Sequence, residues 1–203
     1  MKNNKSDKGN SQLGNTLILI PIFLLFIFIT SKGLSPPQPG DENAYFYMAK
    51  LVTQNNFPYR DFFYAHPPLH LLMTAIIFKI FGFNIVALKL LPLLSIIITA
   101  LLIFIITKNK FDKLTALTST MLFLFSYSIL FNSVFSFGIS TATMLLMFGV
   151  YFYFNKENMF MAGIFFGLAG LTRLLALVPV FALLILVFLF ERRKIKNIVY
   201  GFS

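Results

Sequence analysis

The acidic residues of this chain are few, and where they fall is informative. Of its seven Asp and Glu residues, three (Asp41, Glu42 and Asp61) lie between residues 32 and 84, flanked on both sides by long uncharged runs. The other four, Asp7, Asp112, Glu157 and Glu191, each stand near lysine or arginine and read as solvated charge. An adjacent acidic pair such as Asp41-Glu42 could serve as a general base or as a ligand for a divalent cation. Asp41 also reads as a helix N-cap, a role compatible with either, since the positive end of the helix dipole keeps a carboxylate ionised. Arg60 beside Asp61 is a local surface ion pair in its plain reading. In its sharper reading it is a phosphate ligand, because a planar guanidinium gives two parallel hydrogen bonds. His66 and His70 stand four apart, one face of a helix if a helix includes both. No carboxylate follows at the zinc-protease spacing, so they complete no metal motif, and the sequence requires no metal. Tyr45, Tyr47, Phe57, Tyr59, Phe62, Phe63 and Tyr64 surround these groups, either as an interfacial belt or as surfaces on which sugar rings stack. Arg173 lies far along the chain inside an apolar run, where it either snorkels to headgroups or meets an anionic ligand.

The elements that carry these side chains are legible in outline. Ser35-Pro36-Pro37-Gln38-Pro39-Gly40 is an extended opener, and a short helix follows from Asp41, with Ala44, Tyr47, Met48, Leu51 and Val52 spaced for one face. Asn55-Asn56 ends it. His66-Pro67-Pro68-Leu69 then opens a second helix, with proline in its first turn. That helix, Leu69–Phe81, is apolar but too short to span a bilayer and is interrupted by Lys79, so it is expected to lie on the outer membrane surface.

Composition sets the frame. The 203 residues are 58% hydrophobic and only 12% charged, with a mean hydropathy of +0.80, whereas soluble domains run nearer a quarter charged. There is no cysteine, so disulfides are excluded. The net charge of +10 is held in short basic clusters at the ends of apolar runs, a membrane-orientation pattern, and no nucleic-acid motif accompanies it. Apolar runs occupy residues 16–31, 85–107, 114–132, 138–154 and 159–190, and a span needs roughly 20 residues. The last run is too long for one span and holds Arg173, whose exposure to lipid at mid-membrane would cost about 3 kcal/mol. Splitting it at Thr172-Arg173 gives six spans. With six, Lys2, Lys5, Lys8, Lys108, Lys110, Lys113, Lys156, Arg192, Arg193, Lys194 and Lys196 all fall on the cytoplasmic side. The expectation is an all-α polytopic bundle forming one membrane domain, with a cytoplasmic tail at 1–15 and an outer, catalytic-type loop at 33–83. No small-residue cleavage site follows the first span, so it is expected to be retained rather than removed as a signal peptide. Gly163 and Gly167 form a small-xxx-small pair suited to close helix packing.

Several of these pieces resemble a known family in their order. Gly40-Asp41-Glu42 follows one span and opens a tyrosine-rich helix. Phe57-Pro58-Tyr59-Arg60-Asp61-Phe62 and Tyr64-Ala65-His66-Pro67-Pro68-Leu69 come next, and Gly167-Leu168-Ala169-Gly170-Leu171-Thr172-Arg173 follows after further spans. This resembles the N-terminal part of the C-type membrane glycosyltransferases, in the protein O-mannosyltransferase and aminoarabinose-transferase branch. The resemblance implies a polyprenyl- or dolichyl-phosphate sugar donor and an acceptor lipid, glycan or protein on the outer face of the cell membrane. It also implies Asp41 as base with Glu42 as its partner, transfer with inversion, and donor or substrate contacts from Arg60, Asp61, Tyr64, His66, His70 and Arg173. Two departures stand out. Ala65-His66 occupies the place of an acid and a lysine in the aminoarabinose branch. Residues 135–143 hold no acid where relatives carry a second one. Such enzymes usually have more spans and often a soluble C-terminal domain, so the chain is expected to match the N-terminal part of a longer fold. The competing expectation is a non-enzymatic membrane protein, either a lipid-sugar flippase or transporter subunit or an inactive scaffold. Flippases and transporters place ionisable residues inside their spans, and these spans hold almost none.

Overall fold

A computed structural model describes residues 17–34, 40–190 and 200–201. The expected cytoplasmic tail, the proline-rich residues 35–39 and the terminal basic cluster from Arg192 to Lys196 lie outside the described residues. Within them there are nine α-helices and no extended strand. They are α1 (Leu19–Thr30), α2 (Asp41–Thr53), α3 (Leu69–Phe81), α4 (Ile85–Lys110), α5 (Lys113–Leu124), α6 (Tyr127–Asn132), α7 (Ile139–Phe154), α8 (Met159–Thr172) and α9 (Leu177–Phe190).

The helix starts follow local chemistry. Asn84 accepts from the Ala87 amide, Asp112 from the Thr115 amide and Asn158 from the Met161 amide, capping α4, α5 and α8. The expected Asp41 cap is corrected. Gly40 occupies the cap position at φ 113°, a conformation glycine adopts without strain, and the helix begins one residue later with Asp41 and Glu42 in its first turn. The expected apolar face of α2 is corrected too. Glu42, Phe46 and Ala49 are buried, with Tyr45, Met48 and Val52 packed beside them, while Tyr47 is exposed. The buried stripe therefore includes a carboxylate, which a search for apolar spacing passes over. The second helix occupies Leu69–Phe81 as expected, but His66 precedes it, so His66 and His70 do not share a helical face.

α2 and α3 pack together through Phe46, Ala49, Leu71, Ala75 and Phe78, joined by Tyr64 and by Leu88 of α4. α1 packs on α4 and α5 through Phe26, Leu93, Ile96, Ala100 and Leu124. α7, α8 and α9 share a third cluster around Phe166 and Val180. α7 and α8 approach closely at Gly149, where an added Cβ would sit 2.3 Å from the Phe166 ring. The small residue that permits this contact is Gly149.

The 159–190 run breaks where charge required it. α8 stops at Thr172, Arg173 is extended, and a 3-10 turn at Leu174–Ala176 leads into α9. The 114–132 run is itself divided, into α5 and α6, at Phe125 and Ser126. By length and composition α4, with 26 residues, is the described helix able to cross a membrane unaided. The others are shorter: α7 has 16 residues and α8 has 14, and 14 residues rise only about 21 Å.

Candidate active site

The site forms where the first turn of α2, the stretch before α3, the 133–138 connection and the end of α8 meet. The connection does most of the joining, and it does so through its backbone. The Ser136 amide donates to Glu42 Oε1 at 2.8 Å. The Ser136 carbonyl takes a 2.9 Å hydrogen bond from His70 Nε2. The next carbonyl, of Phe137, accepts from Arg173 Nε. Because a carbonyl oxygen only accepts, His70 must carry its proton on Nε2, which leaves Nδ1 bare. That nitrogen is buried with no hydrogen-bond partner among the described residues. Burial holds the His70 imidazole down at about 4, despite the Ser136 bond, and the charges of Arg173 and His66 lower it further. Gly138 sits at φ 80° with the His70 ring so close that a Cβ would lie 2.8 Å from its Cγ. Conformation and space therefore both call for glycine there.

An aromatic group stands above this frame. The Tyr45 hydroxyl pairs with His66 Nε2 at 2.8 Å, and the Arg173 guanidinium lies 5.5 Å from the centre of the Tyr45 ring. Tyr45 also meets Tyr64 and Phe137 edge-on. Burial pushes the Tyr64 phenol up to about 12, so it stays protonated at neutral pH. His66 is lowered by burial and by Arg173, against the opposing pull of Asp41. Asp41 is exposed and makes no hydrogen bond or ion pair among the described residues. Its charge is nevertheless felt at His66, and so is that of Arg173.

The candidate residues thus divide. Asp41, Tyr64, His66, His70 and Arg173 gather around Tyr45 and the 133–138 connection. Glu42 turns inward, with its side chain fully buried and Oε2 3.4 Å from Lys89 Nζ. Arg60 and Asp61 form a 2.8 Å pair at the surface. Asp61 also accepts from the Phe57 amide, and Arg60 stacks over the Phe57 ring. The Arg60 bond, then the Phe57 amide, hold the Asp61 carboxyl below its usual range. Their contacts staple the 57–62 turn and do not reach the Tyr45 group. Lys89 and the 133–138 backbone were missed by sequence reasoning. A lysine four residues into an apolar helix signals a required partner, but backbone contacts leave no mark in residue types. No group of three or more metal-ligating side chains occurs among the described residues.

Arg173 also stands at the head of an apolar groove of about 260 Å³ formed by α7 and the 174–179 stretch, with Ile139, Ala142, Leu146, Leu175 and Pro179 in its walls. A cationic head over an apolar groove suits an amphiphile with an anionic headgroup.

The family model for dolichyl-phosphate-mannose-protein mannosyltransferases matches residues 65–201. The chain belongs to that family. The match takes in His66, His70, Lys89, the 133–138 connection and Arg173, while Asp41, Glu42, Arg60, Asp61 and Tyr64 precede it. Comparison with curated proteins and with solved structures yields no match. Membership makes the chain a C-type, mannosyltransferase-like membrane protein, and it implies in general a lipid-linked sugar donor and an acceptor.

Proposed function

We propose that this chain is a polytopic membrane glycosyltransferase that moves a sugar from a polyprenyl-phosphate or dolichyl-phosphate donor to an acceptor hydroxyl on the outer face. The observation that carries the reading is the meeting of a cationic side chain, Arg173, and His66 at the Tyr45 ring, one turn along α2 from the exposed carboxylate of Asp41, with an apolar groove opening at Arg173.

The chemistry follows from those positions. Asp41, in the first turn at the positive end of α2, takes the proton of the acceptor hydroxyl as its oxygen attacks the anomeric carbon. The new C–O bond forms on the face opposite the phosphate, the bond from the anomeric carbon to the phosphate oxygen breaks, and the configuration inverts. Polyprenyl phosphate leaves with the electron pair. The Arg173 guanidinium meets the negative charge as it develops, which is where electrostatic assistance is worth most. The isoprenoid chain lies in the groove below Arg173. His66 and Tyr45 hold the aromatic wall against which the sugar sits.

The membrane reading draws on surface chemistry. Large apolar side chains stand exposed along α1 and α9, among them Phe28, Val178 and Leu189. A monomer in water rarely shows so continuous an apolar face, whereas lipid covers it without cost. Six crossings (α1, α4, α5 with α6, α7, α8 and α9) put Lys108, Lys110, Lys113 and Lys156 on the cytoplasmic side and Asp41 and Arg173 on the other. The shorter helices then span a locally thinned bilayer or are completed by their flanking turns.

The test is sugar release from radiolabelled polyprenyl-phosphate sugars by the purified full chain, with Arg173→Ala beside the unaltered protein. Removing a group that stabilises a developing anion costs about a hundred- to a thousandfold in turnover. Full turnover in a normally inserted Arg173→Ala variant would contradict the assignment.

A further inference from the structure

We propose that Glu42 and Lys89 form a buried positioning pair that aims the Asp41 carboxylate, so that Glu42 serves the reaction through its neighbour and takes no part in proton transfer. The inference rests on the reading of Asp41 as the base.

Both side chains are fully withdrawn from solvent, 3.4 Å apart across 47 residues of sequence. Each makes a second bond that ties in another segment. Lys89 Nζ donates to the Gly33 carbonyl at 3.0 Å and lies 5.9 Å from the centre of the Phe135 ring. Glu42 Oε1 takes the Ser136 amide. One buried pair therefore joins the end of α1, the first turn of α2, the second turn of α4 and the 133–138 connection. The chain on both sides of residues 34–40 is anchored at the same ammonium group.

The geometry has a consequence for Asp41. Successive helical residues point about 100° apart, so fixing Glu42 inward sets Asp41 at the exposed side of the turn, where its charge reaches His66. A paired, buried charge is a poor source of net stability but a stringent geometric constraint, since each partner tolerates few other arrangements. Both Glu42 oxygens are engaged and none of the side chain is exposed, so no acceptor hydroxyl reaches it.

The chain has two histidines, so the titration of each can be followed by NMR in histidine-labelled full chain. Asp41→Asn sets the reference, because losing that carboxylate lowers the His66 titration. Glu42→Gln and Lys89→Met are each expected to lower it as well, since either change frees the first turn of α2. The direct fields of the two lost charges would instead move His66 in opposite directions. The double variant Glu42→Gln/Lys89→Met, which buries no lone charge and keeps an acceptor for the Ser136 amide, should return His66 to its original titration. Turnover should drop about a hundredfold in each single variant, the cost of a small misplacement, and largely recover in the double, while Asp41→Asn stays inactive. A single variant that fails to accumulate but is rescued by the double supports the pairing. Unchanged His66 titration in both single variants overturns the proposal. So does a double variant that titrates normally yet turns over no better than Asp41→Asn, or one no more stable than the worse single. If the unaltered protein itself releases no sugar, the proposed function fails, and the His66 titrations still decide what the pair does.

Discussion

Two ion pairs stand close in sequence to the candidate site, and they differ in almost every respect. Arg60 and Asp61 are adjacent residues whose pairing was plain from their order. Their side chains are 68% and 31% exposed, and they hold one local turn. Glu42 and Lys89 are far apart in sequence, fully buried, and joined to four segments. Water competes for the first pair and screens it, so the pair matters little to the fold. The second pair has no water to fall back on, so each partner depends on the other. The difference teaches that adjacency in sequence marks the weaker contact here, and that isolation in an apolar run marks the stronger one.

The largest expected effect breaks the buried pair from one side. Lys89→Met removes the buried cation that pairs with Glu42 and should destabilise the protein by about 3–5 kcal/mol, read by thermal unfolding in detergent. A melting temperature unchanged from the parent would show that the pair is not closed to solvent.

Next in size is a pH effect at another buried titratable group of the site. The His70 imidazole titrates at about 4 when folded, against 6.5 as a free side chain. Its folded pKa is lowered, so the unfolded chain binds the proton first. Stability is therefore complete above pH 6.5 and is lost as pH falls toward 4. That difference corresponds to about 3 kcal/mol. His70→Gln, which retains a donor for the Ser136 carbonyl, should flatten stability across that window. An acid transition as steep as before would place its origin elsewhere.

The smallest effect belongs to the exposed pair. Arg60→Ala should leave the melting temperature unchanged and alter sugar release only a few-fold, in contrast to Arg173→Ala. A large loss of turnover would return Arg60 to the role of phosphate ligand that its residue type first suggested.

How much of this was legible in advance depended on the kind of contact. The Leu69–Phe81 helix and the break at Arg173 follow from length and charge, which a single sequence states openly. The first turn of α2 was misread because Gly40 takes the cap and because a buried carboxylate looks polar in any apolar pattern. The five apolar runs gave their positions but not their helix lengths, since breaks such as Phe125-Ser126 depend on packing. The gathering of Tyr45, Tyr64, His66, His70 and Arg173 was half visible as a list of types. What holds His70, Arg173 and the neighbouring Glu42 there, two carbonyls and one amide of residues 133–138, has no signature in side chains. Residues 135–143 hold no acid, and the peptide groups of Ser136 and Phe137 do the holding.

The central claim is that Asp41 is the base of a lipid-phosphate-sugar glycosyltransferase. Sugar release from radiolabelled polyprenyl-phosphate sugars, measured for the purified full chain and for Asp41→Asn, tests it most directly. The account expects turnover by the unaltered chain and its loss in a variant that still folds, inserts and keeps the Glu42–Lys89 pair. Equal turnover by both would contradict it, and no turnover by either would remove the enzymatic reading of this chain.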